Sequence, residues 1–240
     1  MKEHPIIFNG EMVRAILAGT KTQTRRVIRV QPLPWAERFE PAPFRSGNVT
    51  YGKPGDWIQM TADTNSQRGL CRCRYGVAGD LLWVRETVAM EAFMEGESPR
   101  VATDGRPLFH DPGGDNEFDE PYWLYPHYKA TDPTPDLCYE DQDEDGPACH
   151  WTPSIHMPRW ASRITLEIVR IQVQRLQEIN EEDAMAEGAP LGRVVGYGRL
   201  GMESHREGFI ELWDSINAKR GYGWLSNPWV WVINFNRINP

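Results

Sequence analysis

The 240-residue sequence has little cysteine and no long apolar run. Nowhere do eighteen apolar residues follow one another, which excludes an ordinary membrane-spanning helix, and the N-terminus lacks the apolar stretch of a secretory leader. Four irregularly spaced cysteines are too few for a disulfide framework in a chain of this length. We therefore expect a soluble, cytoplasmic protein that contacts no membrane.

Basic charge is also scarce, since the formal net charge is −8. The excess of negative charge is local, because segment 111–147 holds twelve acidic residues and one lysine, a net charge of −11. Removing that segment from the total leaves +3 for the other 203 residues. Because local basic patches govern contact with phosphate, a nucleic-acid partner stays open for the rest of the chain.

The apolar pattern predicts many strands and few helices. Helices are expected at 10–18, ended by Gly19, and at 181–187 and 205–219; strands are expected at 5–8, 27–30 and 229–235, at an aromatic edge strand around 122–128, and along 164–173 with a bulge near Val169. Strands and helices do not alternate regularly, which excludes a doubly wound sheet. We expect an α+β, mainly β fold, a partly open β-barrel with flanking helices. Residues 1–240 would form one domain with a long acidic loop insertion at about 88–150.

The densest run of reactive side chains follows the first predicted helix, in Gly19-Thr20-Lys21-Thr22-Gln23-Thr24-Arg25-Arg26. On a turn, the Lys21 amine would come near the Thr24 hydroxyl, and a desolvated lysine of lowered pKa can take a hydroxyl proton. Thr24 would then be a nucleophile. Arg25 and Arg26 offer guanidinium donors to a phosphate or carboxylate. The alternative interpretation is a solvated polar turn without chemistry.

This run carries a family resemblance. The pattern Gly-x-Lys-x-x-Thr-x-Arg resembles the signature of the ASCH family, within the PUA-like superfold. The Gly-Asp strand openings at Asp56 and Asp80 and the closing Trp-Val-Ile-x-Phe strand are similar to that family as well. Segments 153–163 and 227–231 resemble its phage and prophage branch, whose members are sometimes labelled morphogenetic. The likeness covers most of the chain outside 88–150.

The resemblance implies a PUA-like barrel whose cleft handles nucleotides or RNA. Small members of the family hydrolyse N(4)-acetylcytidine with a lysine, a threonine and a glutamate, which match Lys21, Thr24 and, by the Ala-x-x-Glu spacing, Glu187. It thus implies an amidohydrolase, without a cofactor, acting on an N-acylated cytosine-like base or nucleoside. From the residues alone, Glu187 is a surface carboxylate at a helix end.

Other members bind or cleave RNA, so a phage-derived module that binds single-stranded nucleic acid is the alternative function. Cleavage would use Lys21 and His156 as acid and base. In segment 153–163, His156, Arg159 and Trp160 combine a titratable group, a phosphate donor and a stacking ring, as nucleotide pockets do. The alternative is that Trp160 is a core residue.

The cysteines allow one further interpretation. Cys71 and Cys73 alternate on a predicted strand, and Cys138, Cys149 and His150 lie towards the end of the acidic segment. Four such ligands would form a structural zinc site that holds the insertion. A two-residue cysteine spacing is less typical of zinc than Cys-x-x-Cys, so the interpretation without metal is preferred.

Overall fold

The structure is a computed structural model. It describes residues 1–32, 36–42, 44–46, 49–51, 53, 56–60, 70–94, 109–111, 122–135, 150–193 and 203–238. The helices are α1 (Gly10–Leu17), α2 (Glu181–Ala186) and α3 (His205–Asn217). The strands are β1 (Glu3–Ile7), β2 (Gln23–Val27), β3 (Arg38–Pro41), β4 (Phe44–Ser46), β5 (Val49–Tyr51), β6 (Asp56–Met60), β7 (Leu70–Arg72), β8 (Leu81–Arg85), β9 (Val88–Met94), β10 (Phe109–Asp111), β11 (Tyr122–Tyr128), β12 (Thr165–Arg175), β13 (Gly192–Arg193), β14 (Glu203–Ser204) and β15 (Trp229–Ile238).

The chain divides into two compact units. The first comprises Met1–Ile6, Ala15–Trp83 and Ile164–Pro240; the second comprises Ile7–Arg14 and Val84–Arg163. The segment predicted as an insertion, 88–150, falls within the second unit. Its residues 95–108, 112–121 and 136–149 lie outside the described part of the chain.

The largest sheet has five strands in the order β1-β8-β12-β15-β2. Its edge strand β2 corrects the sequence prediction, which placed a turn at 21–26 and a strand at 27–30. Residues Gln23 to Val27 instead pair antiparallel with β15, from Asn234 to Val230. The polar motif becomes a strand because β15 offers it a free edge, and sheet hydrogen bonds outweigh its weak intrinsic preference for strand. Thr24, Arg25 and Arg26 are thereby held on regular backbone.

Strand β12 confirms the long bulged strand expected from the sequence. Its register with β15 shifts between Ile168 and Arg170, so Val169 is the extra residue and is 51% exposed. Because of the extra residue, the side chains that face the core change from even-numbered positions before the bulge to odd-numbered positions after it. Ile171 is accordingly buried like Ile168.

Helices α2 and α3 pack on this sheet through a core cluster. Its members are Leu176, Ile179, Ala184, Ala189, Phe209, Trp213, Val230 and Val232. Asn180 caps α2 by accepting the Asp183 N–H at 2.8 Å. Trp213 is a core residue, because the indole is buried and donates to the Tyr222 carbonyl at 2.7 Å. These contacts fix α2 beside β2.

The two Gly-Asp sequences of the first unit form the same turn. At the first, Lys53 N–H donates to Asp56 Oδ2 at 2.9 Å and Asp56 N–H donates to the Lys53 carbonyl. At the second, Val77 N–H donates to Asp80 Oδ2 at 3.2 Å and Asp80 N–H donates to the Val77 carbonyl. A side chain that closes its own turn explains why aspartate occupies both positions.

The second unit contains a three-stranded sheet in the order β10-β11-β9. The aromatic segment predicted as an edge strand is β11, and the prediction is wrong because β11 lies in the centre, with a partner on each side. Tyr128 at its end is buried with Val88, Met157 and Ala161. The aromatic residues suit a central strand because both neighbours offer packing surface.

A buried ion pair ties the second unit together. Arg163 Nε donates to Glu86 Oε1 at 2.8 Å and Arg163 Nη2 donates to Glu86 Oε2 at 2.9 Å. The guanidinium also lies 4.0 Å from the centre of the Tyr128 ring. Two parallel bonds and a stacked face compensate the desolvation of both charges.

The predicted fold class is confirmed at its coarser level, because the protein is α+β and mainly β. The described strands form open sheets, and no closed barrel is present among them.

We expect Gly208→Ala to destabilise the first unit. A Cβ at position 208 would lie 1.9 Å from the Pro190 carbonyl oxygen, so α3 and the chain leading into β13 would have to separate. Urea unfolding should show a loss of about 1–3 kcal/mol, the cost of overpacking. Glu211→Ala on the exposed face of α3 is the control and should leave stability nearly unchanged. Equal stability of the two variants would contradict the close approach.

Candidate functional site

Lys21 is a buried lysine in the first unit, with 2% of its surface exposed. Its backbone N–H donates to the Ala15 carbonyl in α1, and an antiparallel bridge pairs it with Glu187. Its Nζ atom donates to the Glu187 carbonyl oxygen at 2.6 Å and to Glu187 Oε2 at 2.8 Å. Burial lowers the pKa of Lys21, although the attraction of Glu187 opposes that shift.

Glu187 ends α2 and is also buried, at 6% exposure. Its N–H donates to the Asp183 carbonyl at 2.9 Å, and Gly188 follows with a left-handed φ of 68°. A Cβ on Gly188 would lie 3.1 Å from the Lys21 Cβ. Glycine therefore ends the helix and lets Lys21 lie against its last turn.

Oxygen Oε1 of Glu187 differs from Oε2. It is buried and accepts no hydrogen bond within the described part of the chain. Arg25 Nη1 lies 3.5 Å from it, an ion-pair distance without hydrogen-bond geometry. The carboxylate thus has one oxygen committed to Lys21 and one with an unused acceptor position.

The Arg25 side chain has no exposed surface. Its Nη2 donates to Asp183 Oδ2 at 2.8 Å and to Gln174 Oε1 at 3.3 Å, and Nη1 donates to Gln23 Oε1. Gln23 in turn donates to Asp183 Oδ1 at 3.1 Å. The structure thus gives Arg25 a contact between β2 and α2 in place of the predicted phosphate contact.

Thr24 and Arg26 lie on the other face of β2, because successive side chains of a strand point to opposite faces and Gln23 and Arg25 face α2. Thr24 is 2% exposed and pairs with Ile233. Arg26 is partly buried, and burial lowers its pKa. The structure therefore brings Lys21 and Glu187 into contact and places Thr24 on the opposite face of the adjoining strand.

Cations outnumber carboxylates around this contact. Lys21, Arg25 and Arg26 interact with Asp183 and Glu187, so one positive charge is in excess when all five are ionised. Repulsion from both arginines adds to burial in lowering the pKa of Lys21. Deprotonation of Lys21 removes this excess positive charge. The charge balance around Lys21 therefore favours its neutral form more than that of an exposed lysine.

The residues predicted on segment 153–163 belong to the second unit. Two short 3₁₀ turns, Ser154–His156 and Arg159–Ala161, form the segment, and Met157 and Ala161 anchor it with 1% exposure each. The predicted binding residues His156, Arg159 and Trp160 are all exposed. The alternative that Trp160 is a core residue is wrong, since it is 37% exposed.

The described cysteines are free thiols. Burial raises the pKa of Cys71 to about 11 and of Cys73 to about 12. Cys138 and Cys149 lie outside the described residues, and His150 is exposed. No group of three or more His, Cys, Asp or Glu side chains within the described ranges is arranged to hold a metal ion.

No helix of the described part of the chain is long and apolar enough to cross a membrane. No family model, no curated protein and no solved structure matches this chain. The resemblance to the ASCH family therefore stays a prediction that rests on the motif residues.

Three residues of the site were not predicted from the sequence: Gln23, Gln174 and Asp183. The sequence did contain an indication for Asp183. Asp183 stands three residues after the N-cap Asn180, a position that orients its side chain along the first helical turn. Gln174 carried none, because its contact with Arg25 spans 149 residues of sequence.

We expect the Lys21–Glu187 pair to behave as a buried, coupled unit. Lys21→Met or Glu187→Gln alone should lower the free energy of unfolding by about 3–5 kcal/mol, since each leaves a partner buried without its counter-charge. The double variant should cost at least about 1 kcal/mol less than the sum of the single changes.

The measurement is urea unfolding of all four proteins. Arg72→Met is the control, because Arg72 pairs with Asp56 at 2.8 Å but is 62% exposed, so its loss should cost under about 1 kcal/mol. Additive effects of the two site substitutions would show that the buried contact does not form.

Proposed function

We propose that the protein is an ASCH-type hydrolase that removes an acyl group from the exocyclic nitrogen of a cytosine-like base or nucleoside. The observation that carries the proposal is the buried Glu187 carboxylate: Oε2 accepts a hydrogen bond from a lysine of lowered pKa, and Oε1 accepts none from any residue that the structure describes. A substrate amide N–H supplies the kind of donor that Oε1 lacks. Such a pair takes up and returns a proton inside a site that excludes bulk water.

In the proposed reaction, the Thr24 hydroxyl attacks the acyl carbonyl and its proton passes to the neutral Lys21 amine. The tetrahedral intermediate then breaks its C–N bond, and the departing exocyclic nitrogen takes a proton from the Lys21–Glu187 pair. Water hydrolyses the acyl-threonine, so the products are the free amine and a carboxylic acid. None of these steps uses a metal or a redox cofactor.

The support for Thr24 is weaker than the support for the pair. Sequence spacing and burial favour it, but its face of β2 is opposite that of Gln23 and Arg25. Lys21, Thr24 and Glu187 are at most 6% exposed, so a substrate reaches them only after neighbouring groups move. The role of Thr24 is therefore tested separately. Thr24→Val removes the hydroxyl at nearly constant shape, and Thr24→Ser retains it.

The PUA-like superfold is part of the same proposal. It is supported by the motif on β2, by the repeated Gly-Asp turns before β6 and β8, and by the closing strand β15 that pairs with the motif. The open sheets described above are compatible with a partly open barrel.

The test is whether the protein releases acetate from N(4)-acetylcytidine. The cytidine formed is measured by chromatography. Lys21→Met and Glu187→Gln should each lower kcat/KM by about a hundredfold or more, as expected for loss of general acid–base catalysis. Lys2→Met at an exposed position is the matched control and should retain wild-type activity. The proposal fails if the wild type releases no acetate, or if both folded site variants keep full activity.

The pH profile gives a second measurement on the same reaction. A base with a lowered pKa loses its proton before an exposed lysine does, so kcat/KM should rise with pH and level off below the range of ordinary lysine titration. Lys21→Arg, which cannot deprotonate, should abolish that rise. A profile that keeps rising as an ordinary lysine titrates would contradict the assignment.

A second candidate function is RNA binding, as in the other branch of the family resemblance. It is favoured by exposure of His156, Arg159 and Trp160 on one short segment of the second unit. The ribonuclease alternative, with Lys21 and His156 as acid and base, stays a prediction. Loss of RNA affinity in Trp160→Ala would support the binding function.

A further inference from the structure

A surface of the first unit collects five cations where β2 ends, β12 ends and β15 begins. We name it the basic surface, and its members are Arg29, Arg175, Arg206, Lys219 and Arg220. All five are exposed or half-buried. They come from four separate parts of the chain, which the fold alone brings to one end of the sheet.

Direct contacts join these parts through aromatic residues. Tyr222 Oη donates to the Arg29 carbonyl at 3.2 Å, which ties the turn after α3 to the end of β2. The Arg206 guanidinium lies 4.9 Å from the centre of the Trp224 ring. Gln177 at the end of β12 donates to the Trp224 carbonyl at 2.9 Å.

The same surface continues to the start of β15. The Arg175 guanidinium lies 4.3 Å from the centre of the Trp229 ring and donates to the Asn227 carbonyl at 3.1 Å. Lys219 and Arg220 occupy the 3₁₀ turn that leads from α3 to Tyr222. Two of the five cations, Arg175 and Arg206, therefore lie against aromatic rings.

Within the described part of the chain, no carboxylate lies within ion-pair distance of any of the five cations. By contrast, Lys21, Arg25 and Arg163 each pair with a carboxylate. Nearby carboxylates accept backbone N–H groups: Asp214 from Trp224 at 2.6 Å, and Glu181 from His205 at 2.6 Å. They and the exposed Glu178 stay ionised, so what distinguishes the surface is the group of five cations without an ion pair in a chain of net charge −8.

This arrangement fits a polyanion that also has flat rings. Guanidinium groups stacked on Trp224 and Trp229 keep N–H donors at their edges for phosphates, and bases stack on arginine planes as well as on aromatic rings. Leu225, at the tip between them, is 93% exposed and offers an apolar contact to a base. A duplex hides its base faces, so the apolar part of the surface would find no partner there.

We propose that the basic surface binds single-stranded nucleic acid, with the five cations on phosphates and the stacked arginines and Leu225 against bases. The inference does not depend on the hydrolase activity. If both proposals hold, the substrate base belongs to a polynucleotide rather than to a free nucleoside. Residues 21 and 29 are at most about 26 Å apart, so a bound strand lies within reach of the Lys21 site.

The test titrates the intact protein into fluorescein-labelled, unstructured RNA and DNA of about twenty nucleotides, and into a duplex of the same length, and follows anisotropy at several salt concentrations. The key variant combines Arg29→Gln, Lys219→Gln and Arg220→Gln. These three side chains are exposed, so the fold should persist, which circular dichroism checks. Affinity for single strands should fall roughly ten- to a hundredfold at moderate salt, and the slope of log K against log salt should lose about two units.

A charge-matched control combines Lys2→Gln, Arg170→Gln and Arg237→Gln, three exposed cations of the same unit, with Arg237 near the end of β15 that is far from Trp229. It should keep the wild-type affinity and slope. Equal weakening by both triple variants, tighter binding of the duplex, or no binding of either single strand would overturn the proposal. Preference for RNA or for DNA among the single strands identifies the natural ligand. A Lys21→Met protein that binds normally but releases no acyl group would separate this surface from catalysis.

Discussion

The contact between the Lys21 ammonium and the Glu187 carboxylate is the constraint on which the site depends. It joins groups 166 residues apart and removes both from water, so neither charge is tolerable without the other. Because Lys21 Nζ also donates to the backbone carbonyl of Glu187, the end of α2 is fixed against the strand that follows α1. Gly188 makes this approach sterically acceptable.

The ion pair also orients the polar residues around it. With α2 held beside β2, Asp183 can accept from both Gln23 and Arg25, and Arg25 loses all contact with solvent. The excess cation then favours the neutral form of Lys21. Burial of this contact lowers the pKa of Lys21, while the attraction of Glu187 opposes the shift, so removal of either partner would disturb both the packing and the protonation of the pair.

Much of the fold was accessible from the pattern of apolar residues. Helix 10–18, the bulge at Val169 and the closing strand were predicted, because each depends on neighbours in sequence. The prediction failed where residues distant in sequence determine the local structure. The motif at 21–26 became strand β2 because β15 supplies its hydrogen bonds, and the aromatic segment β11 became a central strand because β9 and β10 flank it.

By itself, the sequence determined a mainly β, α+β chain through local periodicity and singled out Lys21 and Thr24 by their spacing, whereas Glu187 was indicated only by the family resemblance. Only the tertiary structure decided that Lys21 meets Glu187, that Arg25 is enclosed and that Thr24 lies on the opposite face of β2. The same holds for the basic surface, whose cations are spread over nearly 200 positions. Long-range pairing sets these contacts, and no local pattern encodes which distant groups a sheet will bring together.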